Sequence, residues 1–170
     1  MEKAILDATC GSRMIWFQKY CEAATYMDCR EEDGTAIWKS TKNDSVRRLN
    51  VHPDVISDFT AMPFEDNTFH LVVFDPPHLV KIGDNAWMKK KYGRLPPDWA
   101  GMIHDGFWEC MRVLKPYGTL IFKWSEVQIT TRKVIDAIGV EPLFGNRSGK
   151  AANTHWMVFM KFPEGGANGD

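Results

Sequence analysis

Apolar residues fall along this chain in two rhythms: short runs bounded by polar residues, and one longer stretch at helical spacing. The short runs predict strands. Ala4 to Thr9 is the first and ends in Cys10-Gly11-Ser12, with Ser12 placed to cap a helix running to about Tyr20. Ala24 to Met27 predicts a second strand, closed by Asp28. Ala36-Ile37-Trp38 and Val46 to Val51 flank Thr41-Lys42-Asn43-Asp44, which predicts a hairpin in place of a crossover helix. Asp54 to Ser57 leads as a third short strand to Asp58, and the apolar run Phe69 to Phe74 is a fourth, buried strand.

The second half is more regular. Trp99, Met102, Ile103, Phe107, Cys110, Met111 and Leu114 recur at helical spacing, so 98–114 predicts an amphipathic helix. Lys115-Pro116-Tyr117-Gly118 stops it, and Thr119 to Trp124 is the fifth strand. Ser125 with Gln128 has the spacing of a capping box, opening a helix that ends near Gly139. Val140 to Phe144 and His155 to Phe162 complete the pattern as an antiparallel pair. Strands alternating with helices predict an α/β fold with a mostly parallel sheet covered by helices on both faces. A single domain over 1–163 and a disordered tail at 164–170 are expected.

Composition narrows the function classes. The chain of 170 residues is 44% hydrophobic and 25% charged, ordinary values for a globular protein. No run approaches the roughly 18 apolar residues of a membrane span, and Asp7 interrupts the N-terminal apolar stretch, so neither a membrane segment nor a signal peptide is expected. The four cysteines lack CxxC spacing and the five histidines are scattered, which argues for reduced thiols in a cytoplasmic protein and for no metal site. A formal net charge of −1 excludes a protein that coats nucleic acid by bulk electrostatics. The charge is nevertheless uneven. Residues 81–97 hold Lys81, Lys89, Lys90, Lys91 and Arg94 against the single acid Asp84, interleaved with Trp87 and Tyr92 among glycines and prolines. That composition predicts a basic loop, with an exposed Trp87, fit to close over a polyanion.

The candidate chemistry sits just before this loop. Asp75-Pro76-Pro77-His78 follows the fourth strand, and its prolines stiffen the turn. It presents a carboxylate (Asp75), a free carbonyl (Pro76) and a ring (His78), a set able to grip a planar base that carries an exocyclic amine. In an α/β sheet ligands bind beyond the carboxyl ends of the strands, where Asp7, Asp28, Asp58 and Asp75 all fall. Gly11 permits close backbone approach, the predicted helix after Ser12 offers free N–H groups, and Asp28 is spaced to bind a ribose diol. The dinucleotide pattern GxGxxG is absent.

The ordered segments 5–13, 26–30, 62–78, 112–116, 120–124 and 155–159 together carry a resemblance. The chain resembles class I S-adenosylmethionine-dependent methyltransferases, and closely the small prophage-type DNA amino-methylases. The resemblance implies a Rossmann-like, seven-stranded sheet whose last strand is antiparallel. It implies S-adenosylmethionine as cofactor, and S-adenosylhomocysteine as product, held over Asp7, Thr9, Cys10, Gly11 and Ser12. Asp28 would take the ribose hydroxyls, with Asp58 and Phe59 bordering the adenine. Asp75, Pro76, Pro77 and His78 would match the Asp/Asn-Pro-Pro-aromatic turn that holds an exocyclic base amine, adenine N6 favoured over cytosine N4, with His78 stacked on the base. Lys81, Trp87, Lys89, Lys90, Lys91 and Arg94 would contact nucleic acid, DNA being favoured. Three departures stand out: Arg13 replaces a glycine of the first loop, His78 replaces Tyr or Phe, and no target-recognition domain is visible, which leaves room for a separate specificity partner. RNA or a small amine as acceptor, and a non-catalytic cofactor-binding module, remain alternatives.

Overall fold

A computed structural model describes residues 3–39, 45–147 and 153–163. Among these residues nine strands form, namely β1 (Ile5–Asp7), β2 (Ala24–Asp28), β3 (Glu32–Lys39), β4 (Val46–Val51), β5 (Val55–Ile56), β6 (Phe69–Phe74), β7 (Leu114–Ser125), β8 (Phe144–Arg147) and β9 (Thr154–Met160). Three helices accompany them among the described residues, α1 (Trp87–Tyr92), α2 (Trp99–Val113) and α3 (Thr131–Ile138). Seven strands make one sheet in the order β5-β2-β1-β6-β7-β9-β8, while β3 and β4 pair as a separate antiparallel ribbon. The first five strands of that order are mutually parallel, and β9 inserts antiparallel between β7 and β8. The expected mostly parallel sheet with an antiparallel last strand is what forms.

The alternation of side chains across the strands explains the core. Leu6, Met27, Val72, Phe74, Leu120, Phe122 and Trp124 share one cluster with Ile103 and Phe107 of α2 and Val134 and Ile138 of α3. Each such side chain contributes about 1.5–3 kcal/mol on leaving water. The helical spacing of α2 is therefore its core stripe. Arg112 at the end of α2 pairs with Glu109 and Asp66 and donates to the carbonyls of Met62 and Phe64, which ties the 62–66 segment against the helix.

Local structure departs from expectation in four places. The stretch from Ser12 to Tyr20 is a series of turns, with no helix. Arg13 adopts a φ of 54°, which breaks a right-handed helix at its first turn, and Met14, Phe17 and Tyr20 are exposed. Trp16 turns inward, packing with Cys10, Ala24, Tyr26 and Cys21 over the second face of the sheet. The 81–97 segment is not wholly loop, because α1 forms within it, and Trp87 is half-buried. The expected capping box does not form: Ser125 ends β7 and α3 starts after Thr130, while Gln128 is used elsewhere. The strand expected at 140–144 lies at Phe144–Arg147. The hairpin turn expected at 41–44 and the tail at 164–170 lie outside the described residues.

Gly106 brings α2 close to Phe59, in the segment after β5, and to Phe74 of β6. A Cβ there would sit 2.5 Å from Cδ2 of Phe59 and 3.0 Å from Cζ of Phe74. Those rings pack edge to face with centroids 5.2 Å apart, so neither can yield freely. Gly106→Ala is expected to destabilise the fold by about 1–3 kcal/mol through overpacking. Chemical denaturation checks this: an unchanged midpoint would mean that the two rings move aside without cost.

Candidate active site

A cavity of about 220 Å³ opens at the carboxyl ends of β1, β2, β5 and β6. Asp7, Thr9, Cys10, Gly11, Ser12, Asp28, Asp58 and Phe59 all line it, together with Asp75 and Pro77 from the proline turn and Lys91 and Arg94 from the basic segment. Pro76, His78, Lys81, Trp87, Lys89 and Lys90 are not among its walls. Met14, Arg30, Tyr92, Met102 and Lys123 line it without having been singled out from the sequence.

The first loop is shaped by its backbone. Gly11 has a φ of 48°, and a Cβ built there would meet no protein atom within 4 Å, so bare backbone faces open space. Its N–H donates to Oδ2 of Asp28 at 2.9 Å, which joins the loop after β1 to the end of β2. Arg13 stands in for a glycine by accepting the left-handed conformation. Its guanidinium lies 3.7 Å over the Tyr26 ring and donates to the carbonyls of Lys19 and His52, clear of the cavity. Ser12 donates to the carbonyl of Asn50 and so anchors the loop to the β3–β4 ribbon. Thr9 links the two chemical turns, its Oγ1 accepting the Asp75 N–H at 2.8 Å.

Three acids meet at neighbouring strand ends, and each has partners. Asp7 is fully buried, accepting Trp16 Nε1–H at 2.6 Å and the Thr9 N–H at 3.3 Å. Burial raises its pKa from 3.8 to about 7; the hydrogen bonds from Trp16 and Thr9 pull it down, and the charges of Asp75 and Asp28 push it up. Asp28 lies 3.8 Å from Nε of Arg30, and Asp75 receives Nζ of Lys123 at 2.5 Å. Cys10 is buried, and its thiol is pushed up to about 12 chiefly by that burial. It is inert packing beside the ligand loop.

The proline turn places its ring away from the opening. His78 is buried, its centroid 5.6 Å from Tyr92 and 6.5 Å from Trp124. Burial lowers its pKa, with Asp75 opposing and Lys123 reinforcing the shift, so the ring is neutral near neutral pH. Tyr92, the last residue of α1, lines the cavity on this side, with His78 behind it.

The segment between the turn and α2 is pinned at both ends. Gln128 acts as a substitute strand partner, accepting from the N–H groups of Val80 and Lys81 and donating to the Lys81 carbonyl. Leu95 is buried, and its N–H donates to the Leu79 carbonyl. Arg30 donates to the carbonyls of Lys90 and Lys91 at 2.6 and 2.7 Å, satisfying the C-terminal turn of α1 from the end of β2. Lys89 pairs with Asp84, which also lies 3.6 Å from Arg94, so part of the basic charge is already matched.

Among the described residues no helix is long and apolar enough to cross a membrane, and no cluster of three or more His, Cys, Asp or Glu could hold a metal ion. No protein-family model matches the sequence, and no curated protein sequence matches it. Solved structures do match. A Pyrococcus horikoshii protein superposes with a TM-score of 0.58 at 13% identity, covering 92% of this chain and 82% of its own. A putative rRNA methylase from Clostridium thermocellum gives a TM-score of 0.56 at 17% identity, covering 95% and 89%. A SAM-dependent methyltransferase from Leishmania major gives 0.51 at 10% identity, covering 91% of this chain and 63% of its own. The strand order and these superpositions together show that the chain has the Rossmann-like fold of class I methyltransferases.

Proposed function

We propose that this chain is an S-adenosylmethionine-dependent methyltransferase acting on an exocyclic base amine of DNA, adenine N6 favoured over cytosine N4. The observation that carries the reading is the meeting of the Asp75 turn and the Asp7–Ser12 loop in one cavity, joined by the Thr9–Asp75 hydrogen bond. The residues fit the cofactor. The acids at the strand ends suit a ligand with a sulfonium and an ammonium group, Asp28 suits ribose hydroxyls, and Phe59 with Met102 offers apolar surface for a flat base.

When bound, the cofactor supplies a methyl group already activated on sulfonium sulfur. The protein's task is then to position the acceptor. Asp75 accepts a hydrogen bond from the base amine, which favours the pyramidal nitrogen on which positive charge develops, while the Pro76 carbonyl, first expected to accept a second, is not among the cavity walls. Asp28 and the Asp7–Ser12 loop would hold the cofactor so that its methyl group passes to the amine nitrogen, the electron pair of the broken bond staying on sulfur. The methylated amine then releases one proton, to Asp75 or to water. The stiff turn would fix the orientation of the amine towards the methyl donor, the positioning on which such a transfer depends. Tyr92 takes the stacking role first expected of His78, and a duplexed base must leave its stack to reach it. The putative rRNA methylase among the structural neighbours makes RNA the acceptor to test beside DNA.

Incubation with labelled cofactor and either polymer, followed by nucleoside mass spectrometry, tests this reading: N6-methyladenine in DNA is expected. Label confined to RNA would move the substrate, and no binding of S-adenosylhomocysteine at millimolar concentration would sink the enzyme reading. Asp75→Ala is expected to abolish transfer while S-adenosylhomocysteine still raises the melting temperature. If that variant keeps turnover at saturating cofactor, Asp75 does not hold the amine.

The basic segment gives a second prediction. Changing Lys89, Lys90 and Lys91 together to alanine should flatten the slope of log affinity against log salt by at most about 2 to 3 units. Lys89, already held by Asp84, should contribute least. An unchanged slope would leave the segment as solvated surface.

Asp7 gives a third. Because its folded pKa is raised, the stability it confers is present below about pH 4 and lost as pH rises through about 7. The unliganded chain should therefore melt lower on the alkaline side, and Asp7→Asn should flatten that fall. A cationic ligand favours the ionised carboxylate, so cofactor affinity should rise over the same interval. An affinity independent of pH there would place the cofactor's charge away from Asp7.

A further inference from the structure

Lys123 is the cavity residue that neither the fold nor the cofactor accounts for. It lies in β7 between Phe122 and Trp124, both fully buried on the core side, so Lys123 projects from the opposite side of the strand. There Nζ lies 5.8 Å from the Trp156 ring and 2.5 Å from Oδ2 of Asp75. The register pairs Phe74 with Phe122, so Asp75 and Lys123 follow side by side at the carboxyl ends of adjacent parallel strands. Both line the cavity, with side chains only 15% and 21% exposed respectively. A lysine serving solubility would keep its ammonium in water; this one is drawn into the acceptor end of the site.

We propose that Lys123 and Asp75 together read the amidine edge of the acceptor base, its exocyclic amine and the ring nitrogen beside it. The inference rests on the reading above that this cavity transfers methyl groups to a base amine. Hydrogen-bond accounting supports it. Lys123 spends one of its three N–H donors on Oδ2 of Asp75, and Oδ1 is the carboxylate oxygen left for a ligand. The pair thus presents an acceptor and a donor next to each other. Adenine (N6–H and N1) and cytosine (N4–H and N3) present the complementary donor and acceptor. Thymine and the keto edge of guanine present the reverse, an exocyclic oxygen that would face the Asp75 carboxylate. A simple alkylamine offers nothing for Lys123 to hold. Specificity for an aminated heterocycle is therefore built into two adjacent strand ends, without a recognition domain.

The test uses single-stranded DNA oligonucleotides carrying one adenine, 1-deazaadenine or 7-deazaadenine, with equilibrium binding measured in the presence of S-adenosylhomocysteine. Replacing N1 with CH keeps the amine and removes the acceptor; replacing N7 leaves the edge intact. Wild-type protein should bind the 1-deaza oligonucleotide about tenfold or more weakly, as for loss of a hydrogen bond to a charged donor, and the 7-deaza oligonucleotide like adenine. Lys123→Met should bind adenine and 1-deazaadenine alike, whereas Lys123→Arg should keep the preference. Equal binding of both analogues by wild-type protein overturns the inference and reduces Lys123 to a counter-charge for Asp75. That comparison needs no variant, so it stands even if Lys123→Met does not fold. Calorimetry with S-adenosylhomocysteine separates the two levels. If it binds and the analogues are indistinguishable, only this inference falls; if it does not bind, the methyltransferase reading falls with it.

Discussion

Burial of the Asp7 carboxyl, with Asp28 and Asp75 at the neighbouring strand ends, is the constraint around which the site is arranged. A buried carboxyl is costly to ionise, and the fold gives each of the three acids a different partner. Trp16 gives its indole N–H to Asp7, Gly11 and Arg30 serve Asp28, and Lys123 serves Asp75. These partners come from three separate stretches of chain. Satisfying the acids therefore closes the first loop, ties down the segment over the cavity and brings β7 into the site.

The same constraint makes sense of the irregular covering of the second face. A regular helix after Ser12 would demand right-handed backbone at Arg13, and would not bring Trp16 onto Asp7 by the turn observed. The left-handed Arg13 turns the chain sharply, and stacking on Tyr26 with two carbonyl contacts stabilises a conformation that costs a non-glycine residue about 1–2 kcal/mol. The loss of a glycine from the loop is thus matched by contacts outside the cavity, and the ligand-facing surface stays open at Gly11.

Arg30 couples the two halves of the proposed reaction. It stands within 3.8 Å of Asp28, on the cofactor side, and holds the end of α1, whose Tyr92 and Lys91 face the acceptor side. Any ligand that draws Asp28 away from Arg30 acts on the helix that bears Tyr92. Gln128 holds the other end of the same segment through three hydrogen bonds to backbone groups of Val80 and Lys81.

Sequence alone determined the elements with a pattern of their own: β6 as an apolar run, α2 as a helical stripe, the β3–β4 ribbon, and the acids and glycine at strand ends that line the cavity. Local pattern carries this information because burial on one face repeats with the period of the element. Tertiary structure decided the rest. Lys123 reads locally as a lone lysine in an apolar strand, and it becomes part of the site only because parallel pairing sets β7 beside β6. Gln128 has the spacing of a capping box, but its side chain bonds the backbone of Val80 and Lys81, and α3 starts only at Thr131. His78 was the ring expected to stack on a base; packing beside Tyr92 and Trp124 draws it away from the cavity, and Tyr92 lines the opening. In each case the deciding partner lies in another element, and no periodicity along the chain encodes which one arrives.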